Sequence, residues 1–152
     1  MDQQAASSTL SELSSGKFQS VIDDPSIIDH SAVERVVLLS GKMYYDLVKT
    51  REEKGLDSKI AFIRIEEISP FPYAALSNVL RKYASANATY VWAQEEPENA
   101  GAYTFVLPRL PQILPKGTEL EYAGREASAA VAVGVAEYHN AEKEKIYRKI
   151  FE

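Results

Sequence analysis

From Arg35 onward the chain alternates compact apolar runs with longer stretches whose apolar residues recur every third or fourth position. Arg35–Leu39 is a continuous apolar run closed by Ser40-Gly41, the pattern of a strand buried on both faces. Residues 42–54 set Met43, Tyr44, Leu47 and Val48 on one helical face, and Gly55 stands where a helix C-cap belongs. Ile60–Ile65 predicts a second strand. Ser69-Pro-Phe-Pro72 breaks the chain and starts a helix with Leu76, Val79, Leu80 and Tyr83 on its inner face. Residues 89–93 predict a third strand. Tyr103, Val106, Leu107 and Leu110 keep helical spacing, but Pro108 lacks the N–H that a helix interior needs, so two short helices are expected, the second from Pro108. Residues 119–123 read as a fourth, edge-like strand. The small-residue stretch 127–135 then leads to a closing helix carrying Tyr138, Ile146, Tyr147, Ile150 and Phe151.

Strands separated by helices of about a dozen residues imply an α/β fold, a mainly parallel sheet with helices on both faces. Residues 1–30 have another texture: Ser, Gln and Asp dominate, with apolar punctuation only at Leu10, Leu13, Phe18, Val21 and Ile22. They predict an extended arm or linker with no core of its own, preceding a domain over 31–152.

Composition narrows the function classes. The 152 residues suit one domain with a real core, and a net charge of −5 supplies no basic field for nucleic acid or an anionic membrane. The absence of cysteine excludes disulfides, thiol nucleophiles and zinc–thiolate sites. Apolar runs fall far short of the roughly 18–20 residues of a membrane helix. The first residues have neither a secretory signal nor an Arg-rich transit pattern, so any targeting sequence is expected elsewhere.

In a parallel sheet, ligands gather outside the carboxyl ends of the strands. Ser40-Gly41-Lys42 falls there and opens a helix, so its free N–H groups and Lys42 could hold an anion; it lacks the GxxxxGK[ST] pattern, and an ordinary strand-to-helix turn is the plainer reading. Glu95, Glu96 and Glu98 cluster behind the single tryptophan. Neighbouring residues on a strand end point to opposite faces, which disfavours Glu95 and Glu96 as a proton-sharing dyad. Glu98 and Asn99 could add metal ligands, but calcium-loop spacing is missing. The expected role is structural: one acid caps the following helix, and the other pairs with an arginine such as Arg109 or Arg125, within the domain or across an interface. His30 and His139 follow no strand and belong to no paired motif. Tyr44, Tyr45 and Tyr103 fit either core or an aromatic contact surface. Glu142-Lys-Glu-Lys145 reads as a solvated face with local ion pairs.

Four ordered motifs carry a resemblance. Val37-Leu-Leu-Ser-Gly-Lys-Met-Tyr-Tyr-Asp-Leu47, Ile65-Glu-Glu-Ile-Ser-Pro-Phe-Pro72, Trp92-Ala-Gln-Glu-Glu-Pro-Glu-Asn-Ala-Gly101 and Tyr122-Ala-Gly-Arg125 together resemble the carboxy-terminal domain of the thiamine-diphosphate-dependent first component of 2-oxoglutarate dehydrogenase. Thr9-Leu-Ser-Glu-Leu13 and Tyr103-Thr-Phe-Val-Leu-Pro-Arg109 are also similar to the 2-oxoadipate paralogue. The resemblance runs from about Ser8 to the end and implies a transketolase C-terminal-like sandwich with a sheet of about five strands. It implies a homodimeric enzyme whose preceding domains hold thiamine diphosphate and magnesium, decarboxylate a 2-oxo acid, and acylate the lipoyl group of an acyltransferase component. The GDG of the family's cofactor motif does not occur here, so no cofactor and no catalysis are expected of this stretch alone. Glu95 and Glu96 match the family's QEEP motif, not its cofactor-activating glutamate. With Asn99, Gly101, Tyr103, Arg109 and Arg125 they are expected to be structural or interface residues. Val131 stands where the family often has proline, which puts the loop shape there in question. The rival expectation is a regulatory module binding an acyl-CoA or nucleotide at Ser40, Gly41 and Lys42. The family implies an intracellular location, the mitochondrial matrix in a eukaryote or the cytoplasm in a bacterium.

Overall fold

The computed structural model describes residues 6–152. Its sheet contains β1 (Val21–Ile22), β2 (Arg35–Leu39), β3 (Ile60–Ile65), β4 (Thr89–Pro97) and β5 (Leu120–Arg125), in the order β1-β3-β2-β4-β5. The last four are mutually parallel and β1 is antiparallel to β3. The helices are α1 (Leu10–Ser15), α2 (Met43–Lys54), α3 (Tyr73–Leu80), α4 (Tyr103–Val106) and α5 (Ala136–Phe151).

Alternation along the strands builds two cores. Val36, Leu38, Ala61, Ile63, Tyr90 and Trp92 face one way, where Leu76 and Leu80 of α3, then Tyr83, Val106 and Leu110, cover them. Val37, Leu39, Phe62, Val91 and Ala93 face the other way, onto Met43 and Leu47 of α2 and Ile146 and Ile150 of α5. Each strand therefore serves both layers, which is why these runs are continuously apolar. At about 1.5–3 kcal/mol for each fully buried large apolar side chain, this double core is the main stabilising contribution.

Helix ends match their chemistry. Gly55 adopts φ 65° and its N–H bonds to Arg51 and Glu52 carbonyls, closing α2. Pro108 does interrupt the helix after β4, but the second piece is a 3-10 turn over Leu110–Gln112 that begins two residues after Pro108. β4 runs on to Pro97, four residues past the strand expected at 89–93, with a register shift between Ala93 and Pro97. β5 is the edge strand its composition predicts.

Residues 1–5 of the arm lie outside the described residues. Beyond them the arm is more than a linker. Thr9 and Glu12 form a reciprocal capping box that opens α1, whose residues are all exposed. Val21 and Ile22 supply the fifth strand, which no alternation in the sequence announces. Directly after it, Asp24 is buried and its carboxylate accepts from the Phe62 N–H at 2.8 Å, taking over an edge hydrogen bond of β3 once β1 has ended. Buried Arg51 of α2 donates to that same carboxylate, to the Ile60 carbonyl (2.8 Å) and to Ser26 Oγ (2.8 Å), and its Nε lies 3.3 Å from Asp57. Ile27 joins the core beside it.

Candidate functional site

The chain leaves central β2 for β3 on one side and then crosses back to β4 on the other. Between the carboxyl ends of β2 and β4 lies the topological switch point, where an α/β sheet usually receives its ligand. Gly41 turns the chain there at φ 76°, a conformation that favours glycine. Lys42, with Ser40 and Gly41 before it, reaches across the gap, and its Nζ meets Glu95 Oε1 at 3.2 Å. The cation expected for an anion therefore already has a carboxylate. The adjoining cavity, lined by Met43, Glu95, Arg125, His139, Glu142 and Tyr147, measures about 30 Å³, room for about one water. Drug-sized ligands occupy clefts of several hundred cubic ångströms. As folded, the cavity beside Lys42 and Glu95 is far smaller than such a cleft.

The acidic stretch is organised by a residue that the sequence reading passed over. Gln94 is 5% exposed. Its Oε1 accepts from Trp92 Nε1 (2.9 Å) and from the Tyr103 N–H (3.0 Å). Its Nε2 donates to the carbonyls of Pro97 (3.0 Å), Ala100 (3.0 Å) and Glu96 (3.2 Å). One neutral amide thus faces three carbonyls of the irregular turn where β4 loses register, while the Glu98 and Ala100 N–H groups bond to the Arg125 and Pro97 carbonyls. Gln94, not a glutamate, caps α4, because Tyr103 is that helix's first residue. Glutamate here would keep the acceptors but aim a carboxylate at three carbonyls. The amide of Gln94 matches these partners and a carboxylate does not.

The other motif residues close around this hub. Gly101 sits at φ 64°, and a Cβ there would lie 3.0 Å from Glu96 Cβ. The Tyr122 hydroxyl donates to the Arg125 carbonyl at 3.0 Å and lies so close over Gly124 that a Cβ would come within 2.2 Å of it. Burial pushes the Tyr122 phenol up to about 12 against the opposing hydrogen bond from Gln94. Tyr103, stacked on it with centroids 4.2 Å apart, is raised by burial too, so neither is an acid or base near neutrality. Asn99 binds Ser128 through two backbone hydrogen bonds of 3.0 Å. Arg125 donates to the Val131 carbonyl (2.8 Å) and its Nε lies 2.6 Å from Glu142 of α5. Arg109 lies 3.6 Å over the Phe105 ring and donates to the Phe105 carbonyl.

Among the described residues the expected glutamate–arginine pairing does not form. Glu95 takes Lys42, Arg125 takes Glu142, and Arg109 stays on its own turn; Glu96 has no ion-pair partner among the described residues. Glu142 and Lys143 are likewise not a local solvated run: Lys143 reaches Asp46 of α2 at 3.6 Å. His30 packs edge-on against Tyr83 near Asp23, whereas His139 lies exposed on α5; among the described residues no base–nucleophile set joins them. Tyr44 packs edge-on against Phe62 and Tyr45. Among the described residues, no three of His, Asp and Glu converge as metal ligands. The buried Asp24–Arg51 pair also escaped the pattern reading. One signal could have found it: Arg51 continues the Met43–Leu47 stripe four residues on, and a charge on a buried stripe demands a partner.

With this geometry in place, comparison with known proteins assigns the lineage. Residues 7–151 match the family model described as 2-oxoglutarate dehydrogenase C-terminal. The chain is 42% identical over 146 residues to the 2-oxoglutarate dehydrogenase E1 component of Cupriavidus necator, covering 96% of this chain and 15% of that protein. It is 43% identical over 141 residues to the oxoglutarate dehydrogenase of Buchnera aphidicola, covering 93% and 15%. It is 38% identical over 147 residues to a Caenorhabditis elegans protein named "probable 2-oxoadipate dehydrogenase complex component E1 homolog", covering 96% and 16%. The chain therefore spans about 15% of the length of the curated relatives it matches. It belongs to the 2-oxoglutarate dehydrogenase C-terminal family.

Proposed function

We propose that this chain serves as the C-terminal assembly domain of a 2-oxo acid dehydrogenase first component acting on 2-oxoglutarate or 2-oxoadipate. In that enzyme, thiamine diphosphate with magnesium, carried by the preceding domains, supplies the decarboxylation, and the acyl group passes to the lipoyl group of an acyltransferase component. The homodimer partner, the preceding domains and that acyltransferase are the partners of this reading. Its setting is the mitochondrial matrix or the bacterial cytoplasm. The observation that carries it is the family match across residues 7–151, in which the motif side chains are engaged in internal structure.

This reading places the cofactor in the preceding domains. The sequence contains no GDG, and no acidic trio suited to magnesium converges among the described residues. The chain's own contribution is shape: Gln94 rigidifies the carboxyl end of β4, and Asn99 and Arg125 hold the loop after β5 in a fixed place.

The test compares the full-length enzyme with this chain alone for thiamine-diphosphate-dependent decarboxylation of 2-oxoglutarate and 2-oxoadipate. Turnover by the full-length protein and none by the chain is the expected result. Turnover by the chain alone that vanishes in Glu95→Gln or Glu96→Gln would overturn the assignment.

A further inference from the structure

We propose that the carboxyl end of the sheet is the face on which this domain docks against the preceding part of its own enzyme. This rests on the assembly-domain reading and names the surface through which assembly takes place. The two ends of the sheet differ sharply in what they expose. Because β1 is antiparallel to β3, the arm enters at the carboxyl end, where the Ser20 carbonyl accepts from the Glu66 and Glu67 N–H groups. There Leu10, Leu13 and Phe18 project at 74–82% exposure, beside a groove of about 650 Å³ that Leu13 and Phe18 help to line. At the far side of the same end, Val131, Val135 and Tyr138 are 52–67% exposed. The opposite end turns through residues 55–59, 84–88 and 115–119, which expose no large apolar side chain; among the described residues Ile28 is the exception there.

A solvated surface seldom carries so many apolar side chains at one end. The loop that presents Val131 is held by Asn99 and Arg125, yet among the described residues no backbone N–H of residues 131–135 makes a hydrogen bond. Around these apolar groups, Glu67, Glu96, Glu98 and Glu126 have no ion-pair partner among the described residues. A second copy would bring the same carboxylates against them, and like charges face to face are costly. The surface fits instead a partner with apolar side chains flanked by arginine or lysine. The relatives have ample chain for this: the matched region is only 15–16% of their length.

Hydrogen–deuterium exchange on the full-length enzyme tests the surface. Amides 131–135 have no protection of their own, so slow exchange there must come from a covering partner. The expected result is exchange at least about ten-fold slower than in the turn 115–119, and partly restored by Val131→Asp with Val135→Asp or by Glu96→Arg with Glu98→Arg, but not by Ile28→Asp. Fast exchange at 131–135 in the unsubstituted enzyme overturns the proposal, and that measurement needs no variant to fold. Protection lost on dilution to monomers, which assigns the face to a second copy, overturns it as well. Decarboxylase activity measured on the same sample separates the two levels: an active enzyme with an unprotected loop refutes the surface alone, and an inactive one refutes the proposed activity of the whole enzyme.

Discussion

Two buried polar networks hold the irregular parts of this domain, and they are built from opposite materials. At the arm, a full ion pair, Asp24 with Arg51, ties a two-residue strand and the following turn to α2 and β3. At the end of β4, one neutral amide, Gln94, ties a strand bulge to α4 and to its own loop. The difference follows from what each must span. The arm junction joins separate elements through one β-edge donor, a hydroxyl and a carbonyl, and a guanidinium with several donors bridges them. The β4 turn offers donors and acceptors on one short segment, and only a side chain that is both donor and acceptor answers them without leaving a charge in the core.

The largest effect is expected at the ionic network. Arg51→Met removes the cation but leaves the Asp24 carboxylate buried, which should cost about 3–5 kcal/mol. Urea unfolding of the variant reads this directly, and a loss below about 1 kcal/mol would mean that Asp24 escapes to solvent and that the ionic network is no stronger than a surface pair. Gln94→Leu comes next. It orphans the Trp92 and Tyr103 donors together, at about 1–3 kcal/mol for each buried group left unpaired, and should quench the ordered environment of the single tryptophan in near-ultraviolet circular dichroism. If Gln94→Glu proved as stable as the native protein at neutral pH, the argument for a neutral amide would fail.

A smaller effect separates the networks by pH. Burial alone would raise Asp23, beside the ionic network, but hydrogen bonds from Lys82 and Tyr83 outweigh it and hold its carboxyl below the usual value. A carboxyl depressed in the folded state stabilises above its unfolded pKa, and the contribution is lost as pH falls through the folded one. Melting temperature should therefore decline on the acid side of about pH 4, and Asp23→Asn should flatten that decline. The smallest effect belongs to the visible salt bridge at the switch point. Lys42 and Glu95 are both more than one-third exposed, so Lys42→Ala should change stability by less than about 1 kcal/mol in denaturant titration. A much larger change would give this pair a weight that its exposure does not predict.

Much of this arrangement was open to a reader of the sequence. The strands from Arg35 on, the helix end at Gly55 and the edge position of β5 follow from apolar period and turn chemistry, because the central strands had to satisfy cores on two faces. The four ordered motifs led to the family. The candidate site was legible only as a place. Glu95 and Glu96 drew attention as acids, yet the residue that organises their turn is Gln94, whose partners are mostly main-chain groups and leave no pattern in side-chain order.

What the sequence determined by itself was local: where the chain runs straight, where it coils, and where glycine must let it turn, as at Gly41 and Gly55. It also determined lineage, through motifs spread over nearly the whole chain. Only the tertiary structure decided that the polar arm donates a strand, that Asp24 finds Arg51 across 27 positions, and that Lys42 meets Glu95 across 53. Those contacts join segments that have no common period, so no window of sequence contains both partners. Distance along the chain is what hid them, and the order of the strands is what brought them together.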